Sequence, residues 1–156
     1  MGAPRFDFAA LYRSLDEMRE KRGVSWQQLA AEMGVAASTL KRTRTGGAME
    51  ADGVLPMVRL VGKAPEDFTE GASRAAKPLE PGRLDTQALH AALDTARRER
   101  GLTWTAAARE IGPWGADALR RLAQGGRIRV DLMLACTQWL GREVNDFVDT
   151  AFRHPA

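Results

Sequence analysis

The 156-residue sequence predicts an all-α protein made of two tandem five-helix units. Three observations lead there. The chain repeats itself over most of its length. Apolar residues recur at three- and four-residue spacing between helix-capping residues and glycines. No stretch alternates apolar and polar residues as a half-buried strand does.

The repeat is direct. Leu11 to Gly34 lies over Leu89 to Gly112 at a constant offset of 78, with Leu11/Leu89, Leu15/Leu93, Asp16/Asp94, Arg19/Arg97, Gly23/Gly101, Trp26/Trp104 and Gly34/Gly112 identical. From Leu40/Leu119 onward the offset is 79, through Arg42/Arg121, Gly46/Gly125, Leu55/Leu134, Gly62/Gly141 and Phe68/Phe147. The second copy therefore carries one extra residue within Pro113-Trp114-Gly115. The first unit spans 6–70 and the second 84–153. Between them, 71–83 is rich in Gly, Ala and Pro and lacks periodicity, which predicts a linker.

The elements follow in order. Phe8, Leu11, Tyr12, Leu15 and Met18 form the apolar stripe of a first helix that Gly23 ends. Ser25 suits an N-cap for a second helix from Trp26 to Met33, stopped by Gly34. Ser38 to about Arg44 is a third, closed by Gly46-Gly47. Asp52 is expected to cap a fourth, running to Leu60, with Pro56 in or near its first turn. Pro65 opens a fifth turn that holds Phe68. The second copy gives Asp85–Arg100, Thr103–Ile111, Ala116–Ala123, Val130–Leu140 and Glu143–Phe152.

Composition narrows the function. Hydrophobic residues make up 44% and charged residues 28%, the profile of a folded chain, not a disordered one. No apolar run reaches membrane-spanning length, and MGAPRFDF has no signal-peptide core. One cysteine, Cys136, and two distant histidines exclude an internal disulfide and a zinc cluster. These features predict a cytoplasmic protein with no metal and no cofactor. Paired carboxylates, a nucleophile with a histidine and a phosphate-binding glycine loop are all missing, so no enzyme is expected. A net charge of +3 permits nucleic acid as a partner without demanding it. After residue 80 every basic residue is arginine, the side chain suited to bidentate contact with phosphate or guanine.

The segment LAAEMGVAASTLKR joins the second and third helices through a glycine. With Trp26 before it, Gly46-Gly47 after it and a later L-V-G-x-x-x-x-D-F, the pattern resembles the lambda-repressor-like, or Xre-type, helix-turn-helix family. The resemblance covers nearly all of both copies. It implies two helix-turn-helix domains whose third helix enters the major groove of double-stranded DNA. The residues it points to in the first copy are Gln27, Gln28, Ala37, Ser38, Thr39, Lys41, Arg42 and Arg44. In the second they are Arg120, Arg121, Gln124, Arg127 and Arg129. Ser38 and Thr39 suit either helix capping or base contact, and Arg42 and Arg121 either DNA contact or a structural bond. Trp26 and Trp104 stand where many members carry a phosphate-clamping glutamine. They read as core or staple residues, as Cys136 reads as core. Arg19/Arg97 and Glu32/Glu110 read as ion pairs.

The second copy departs further from the pattern. Asp117 replaces Ser38, Ala123 replaces Arg44, and Trp114 is expected to be exposed. The first copy is therefore the better DNA reader. The function this implies is a sequence-specific transcriptional regulator acting as a covalent pseudo-dimer. Its linker could stretch about 40 Å at ~3.3 Å per residue. The alternative is a helix-turn-helix-fold module that binds another regulatory protein, of antiactivator or antitoxin type, or self-associates, with Trp114 and Asp117 as its contacts. No small-molecule ligand is evident from the sequence.

Overall fold

The computed structural model describes residues 4–46, 49–69 and 77–151. It is mostly helical. The first half contains α1 (Phe8–Arg22), α2 (Trp26–Met33), α3 (Ala37–Arg42) and α4 (Ala51–Leu60), then a 3-10 turn at Pro65–Phe68. The second half opens with β1 (Arg83–Leu84). It continues with α5 (Thr86–Glu99), α6 (Trp104–Ile111), α7 (Ala116–Arg120), a 3-10 turn at Arg121–Gln124 and α8 (Val130–Leu140). A 3-10 turn at Val144–Phe147 and β2 (Val148–Asp149) end it. The order of helices thus repeats as the sequence does.

Local chemistry sets the starts and stops. Asp7 accepts from the Ala10 N–H at 3.0 Å to cap α1, and Asp85 does the same for α5 through Ala88 at 2.9 Å. Ser25 and Gln28 form a reciprocal capping box on α2. Thr103 caps α6. Each half closes on itself. The Asp7 N–H donates to the Phe68 carbonyl, and the Asp85 N–H donates to that of Phe147, both at 2.7 Å. Around the second closure β1 pairs antiparallel with β2, and Phe6 and Thr69 make the matching bridge in the first half. These two-residue pairings are too short to leave an alternating pattern, which is why the sequence predicts no strand. Gly82 permits the second closure: at φ 141° a Cβ there would lie 2.4 Å from the Asp149 carbonyl oxygen.

The buried side chains form one cluster running through both halves. Leu11, Leu15, Leu29, Leu40 and Val58 from the first meet Leu89, Leu93, Leu119, Met133 and Leu134 from the second in that cluster. Cys136 is buried within it, and desolvation pushes its thiol up to about 12.

Several expectations need correction. The third helix begins at Ala37, with Ala36 at its N-cap and no side-chain bond, so Ser38 and Thr39 do not cap it. Asp52 lies inside the first turn of α4, and Glu50 occupies the cap position without a side-chain bond. Pro56 sits in the interior of α4, where its missing N–H leaves the Asp52 carbonyl without a helical donor. The Ala116–Ala123 segment splits into α7 and a 3-10 turn. Glu143–Phe152 is a 3-10 turn and a strand, not a helix, and Phe152 lies outside the described residues. The linker is anchored in its second part. Leu79 is buried and its N–H donates to the Lys63 carbonyl, while Glu80 and Pro78 bond to the Asn145 side chain. Residues 70–76 lie outside the described residues.

Candidate nucleic-acid interface

The α2–α3 pair turns on Gly34, whose φ of 71° is left-handed and open to glycine at no steric cost. The Gly34 and Val35 N–H groups then bond back to Ala31 and Ala30. Leu40, fully buried, pins α3 to the core. Thr43, also buried, donates from its hydroxyl to the Leu40 carbonyl at 2.6 Å and closes the helix end.

What remains outward on α3 is cationic. Ser38, Lys41, Arg42 and Arg44 are exposed. Lys41 and Arg44 form no ion pair among the described residues. Ala37 and Thr39 are half-buried. Thr39 leans toward α4, since a Cβ added at Gly53 would lie 3.5 Å from its Cγ2. Gln27 is exposed at the start of α2. Gln28 is exposed as well, but its carbonyl oxygen is occupied by the Ser25 N–H at 2.8 Å.

The second half carries the extra residue where the repeat places it. Its turn runs over Gly112–Gly115, and Gly112 abandons the left-handed cap for φ 158°, ψ −157°. Trp114 is half-buried and packed on the core, not exposed as expected. Arg120, Arg121, Gln124, Arg127 and Arg129 are all exposed. Two of these arginines are already neutralised. Asp117 takes Arg120 at 3.0 Å, and Asp131 takes Arg129 through two bonds of 3.1 and 2.6 Å. The strip is further fixed to α5 by Gln87, which donates to the Ala123 carbonyl, and by Thr86, which accepts from the Gly126 N–H.

Trp26 and Trp104 serve as packing surfaces. Tyr12 stacks on Trp26 and His90 on Trp104, each with centroids 5.1 Å apart. The Arg19 and Arg97 guanidiniums cover the same two rings, held in place by Asp16 and Asp94. Glu32 pairs with Arg22 as an exposed ion pair. Glu110 has a different role from its repeat mate and accepts from the Trp139 indole at 3.2 Å.

One joint between the halves, made by main chain, has no side-chain signature. Just beyond each cationic segment, Glu50 and Arg129 form an antiparallel bridge from one half to the other. The Ala51 N–H donates to the Ile128 carbonyl at 2.7 Å, and the Val130 N–H donates to the Met49 carbonyl at 2.9 Å. Residues 49–51 and 128–130 are repeat equivalents, so one contact is made in both directions, as in an isologous interface. It also explains the missing caps: the first N–H of α4 and of α8 is satisfied by the opposite half. Glutamate and arginine at N-cap positions are the only clue to it in the sequence.

Among the described residues no group of three His, Cys, Asp or Glu side chains is placed to hold a metal ion, and no helix is long and apolar enough to cross a membrane. Comparison with protein-family models, with curated proteins and with solved structures returns no match to this chain.

Proposed function

We propose that the chain is a sequence-specific double-stranded DNA-binding transcriptional regulator, in which two lambda-repressor-like helix-turn-helix units act as a covalent pseudo-dimer. The observation that carries this reading is the two-way main-chain bridge between 49–51 and 128–130, set directly behind two outward-facing basic segments. Dimeric readers of this kind place two recognition helices about 34 Å apart along the duplex. Here the symmetry partner is supplied by the same chain.

The halves are unequal readers. The first half offers Lys41 and Arg44, exposed and without an ion pair among the described residues, at and just past the end of α3, whereas Asp117 and Asp131 neutralise Arg120 and Arg129 beside α7. The site should accordingly be asymmetric, with most of the salt dependence contributed by the first half. Selection of duplexes from a random pool, followed by anisotropy titration at two salt concentrations, tests this. Replacing Lys41, Arg42 and Arg44 together with Gln should weaken binding at least tenfold. The log–log salt slope should also flatten by ~0.9 for each phosphate that the variant no longer neutralises. Replacing Arg120 and Arg121 should have the smaller effect. No selected sequence, or a flat salt response, defeats the reading.

The acid-paired arginines of the second half favour a second reading for that half alone, a docking surface for another regulatory protein. Co-purification of a stable partner that survives the triple substitution in α3 would support it.

A further inference from the structure

Beside the α2–α3 turn, a cleft of about 540 Å³ opens between the two halves. Its lining is chiefly apolar: Met33, Val35, Leu55 and Pro56 come from the first half and Leu84 from the second. That volume falls in the range of small-molecule sites, roughly 300–1,000 Å³. Arg59 lines the same space. It is half-buried, and among the described residues no carboxylate forms an ion pair with it. Its Nε donates to the Glu80 carbonyl at 3.0 Å and its Nη2 to the Gly82 carbonyl at 3.1 Å. Nη1 has no hydrogen-bond partner among the described residues. Two neutral carbonyls hold the guanidinium in place but do not cancel its charge. A cation drawn out of water without a counter-ion is unfavourable, and an anion entering the cleft would relieve it.

We propose that this cleft is a binding site for a small apolar carboxylate, with the carboxylate on Arg59 and the hydrocarbon or aromatic body on Met33, Val35, Leu55 and Pro56. The apolar lining disfavours a bare inorganic ion. Arg83 lines the cleft as well, at its exposed edge, and a phosphate dianion held there would face both the apolar wall and Asp52, which is exposed and also lines the cleft. The walls belong to α4 of the first half and to Pro81–Leu84, where the linker enters the second, and the cleft touches Gly34, the pivot of the α2–α3 turn. A bound carboxylate therefore bridges the halves next to the element that orients α3. Any effect on DNA rests on the regulator reading, whereas binding itself does not.

The test uses the full chain without DNA. Benzoate, indole-3-acetate and octanoate are titrated while the backbone amides of Val35, Leu55 and Leu84 are followed by NMR. Benzyl alcohol, octanol and inorganic phosphate serve as controls. At least one carboxylate should give saturable shifts at these amides and bind at least tenfold more tightly than its alcohol. Arg59→Gln should weaken it at least tenfold. Because Arg59 also braces Glu80 and Gly82, Pro56→Phe provides a second variant. It fills the cleft, restores a helical N–H to α4, and should abolish the shifts in a folded protein. Absence of saturation with all three carboxylates, equal binding of the alcohols, preference for phosphate, or full binding by Pro56→Phe each overturns the proposal.

Discussion

Glu66 is 8% exposed, and its carboxylate accepts from the Val144 N–H at 2.7 Å, tying the 3-10 turn of one half to that of the other. Burial raises its pKa, and nearby Glu143 and Asp67 push the same way against the stabilising hydrogen bonds. A carboxyl whose folded pKa lies above the unfolded value binds more protons when folded. Its contribution to stability is therefore greatest at low pH and is lost as pH rises from about the ordinary value of 4.5 through the folded pKa. Glu66→Gln keeps an oxygen acceptor for Val144 and removes the charge. Chemical denaturation across pH 4 to 8 should show a flatter profile for this variant and a stability at pH 7 equal to or above wild type. Glu66→Ala should instead cost about 1–3 kcal/mol, because the buried Val144 N–H loses its acceptor. At this scale the sequence is least informative. Glu66 stands in Pro65-Glu66-Asp67 as one more acid, and nothing local shows that a residue 78 positions away claims its oxygen.

Helices are far more legible, because their signals are local. Asp7, Ser25, Asp85 and Thr103 each stand one residue before a helix and cap it, and Gly23, Gly34 and Gly141 end helices in the left-handed conformation. The sequence places the start of α8 correctly at Val130, but that of α4 is hidden for a physical reason that both helices share. Glu50 and Arg129 are poor N-caps, and the donors they leave are met by main chain from the opposite half, which no residue pattern encodes. A proline can remove one donor of that contact. Position 130 is the first residue of α8, where a proline is tolerated, and Arg129 before it already has φ −69° and ψ 146°, the region that a following proline requires. Val130→Pro thus leaves the helix intact and deletes one donor of the bridge. Far-ultraviolet circular dichroism should be unchanged, unfolding free energy should fall by about 1–3 kcal/mol because the buried Met49 carbonyl loses its donor, and affinity for the selected duplex should drop. An affinity identical to wild type, with helicity retained, would show that the bridge does not set the pose of the two basic segments.

At the scale of the whole molecule, the tandem copies are plain in the repeat, but their docking is not. A Gly-, Ala- and Pro-rich stretch suggests a tether whose length governs how two beads meet a duplex. For such beads the effective concentration of the second falls at least as steeply as the −3/2 power of linker length. The described part of the junction behaves otherwise. Leu79 is buried against the joint cluster, Arg59 holds Glu80 and Gly82, and the 49–51/128–130 bridge adds a second tie between the halves. Halves docked in this way have a spacing set by contacts, so the intervening chain has little left to determine. Inserting ten Gly/Ser residues between 70 and 76 should change affinity for the selected duplex less than twofold. Inserting five base pairs between the two half-sites rotates one half-site to the far face of the helix. It should reduce binding to the level of the first half alone, and the longer linker should not rescue it. Rescue by the linker would mean that the halves separate on DNA and read it independently, and the bridge would then describe only the unbound protein.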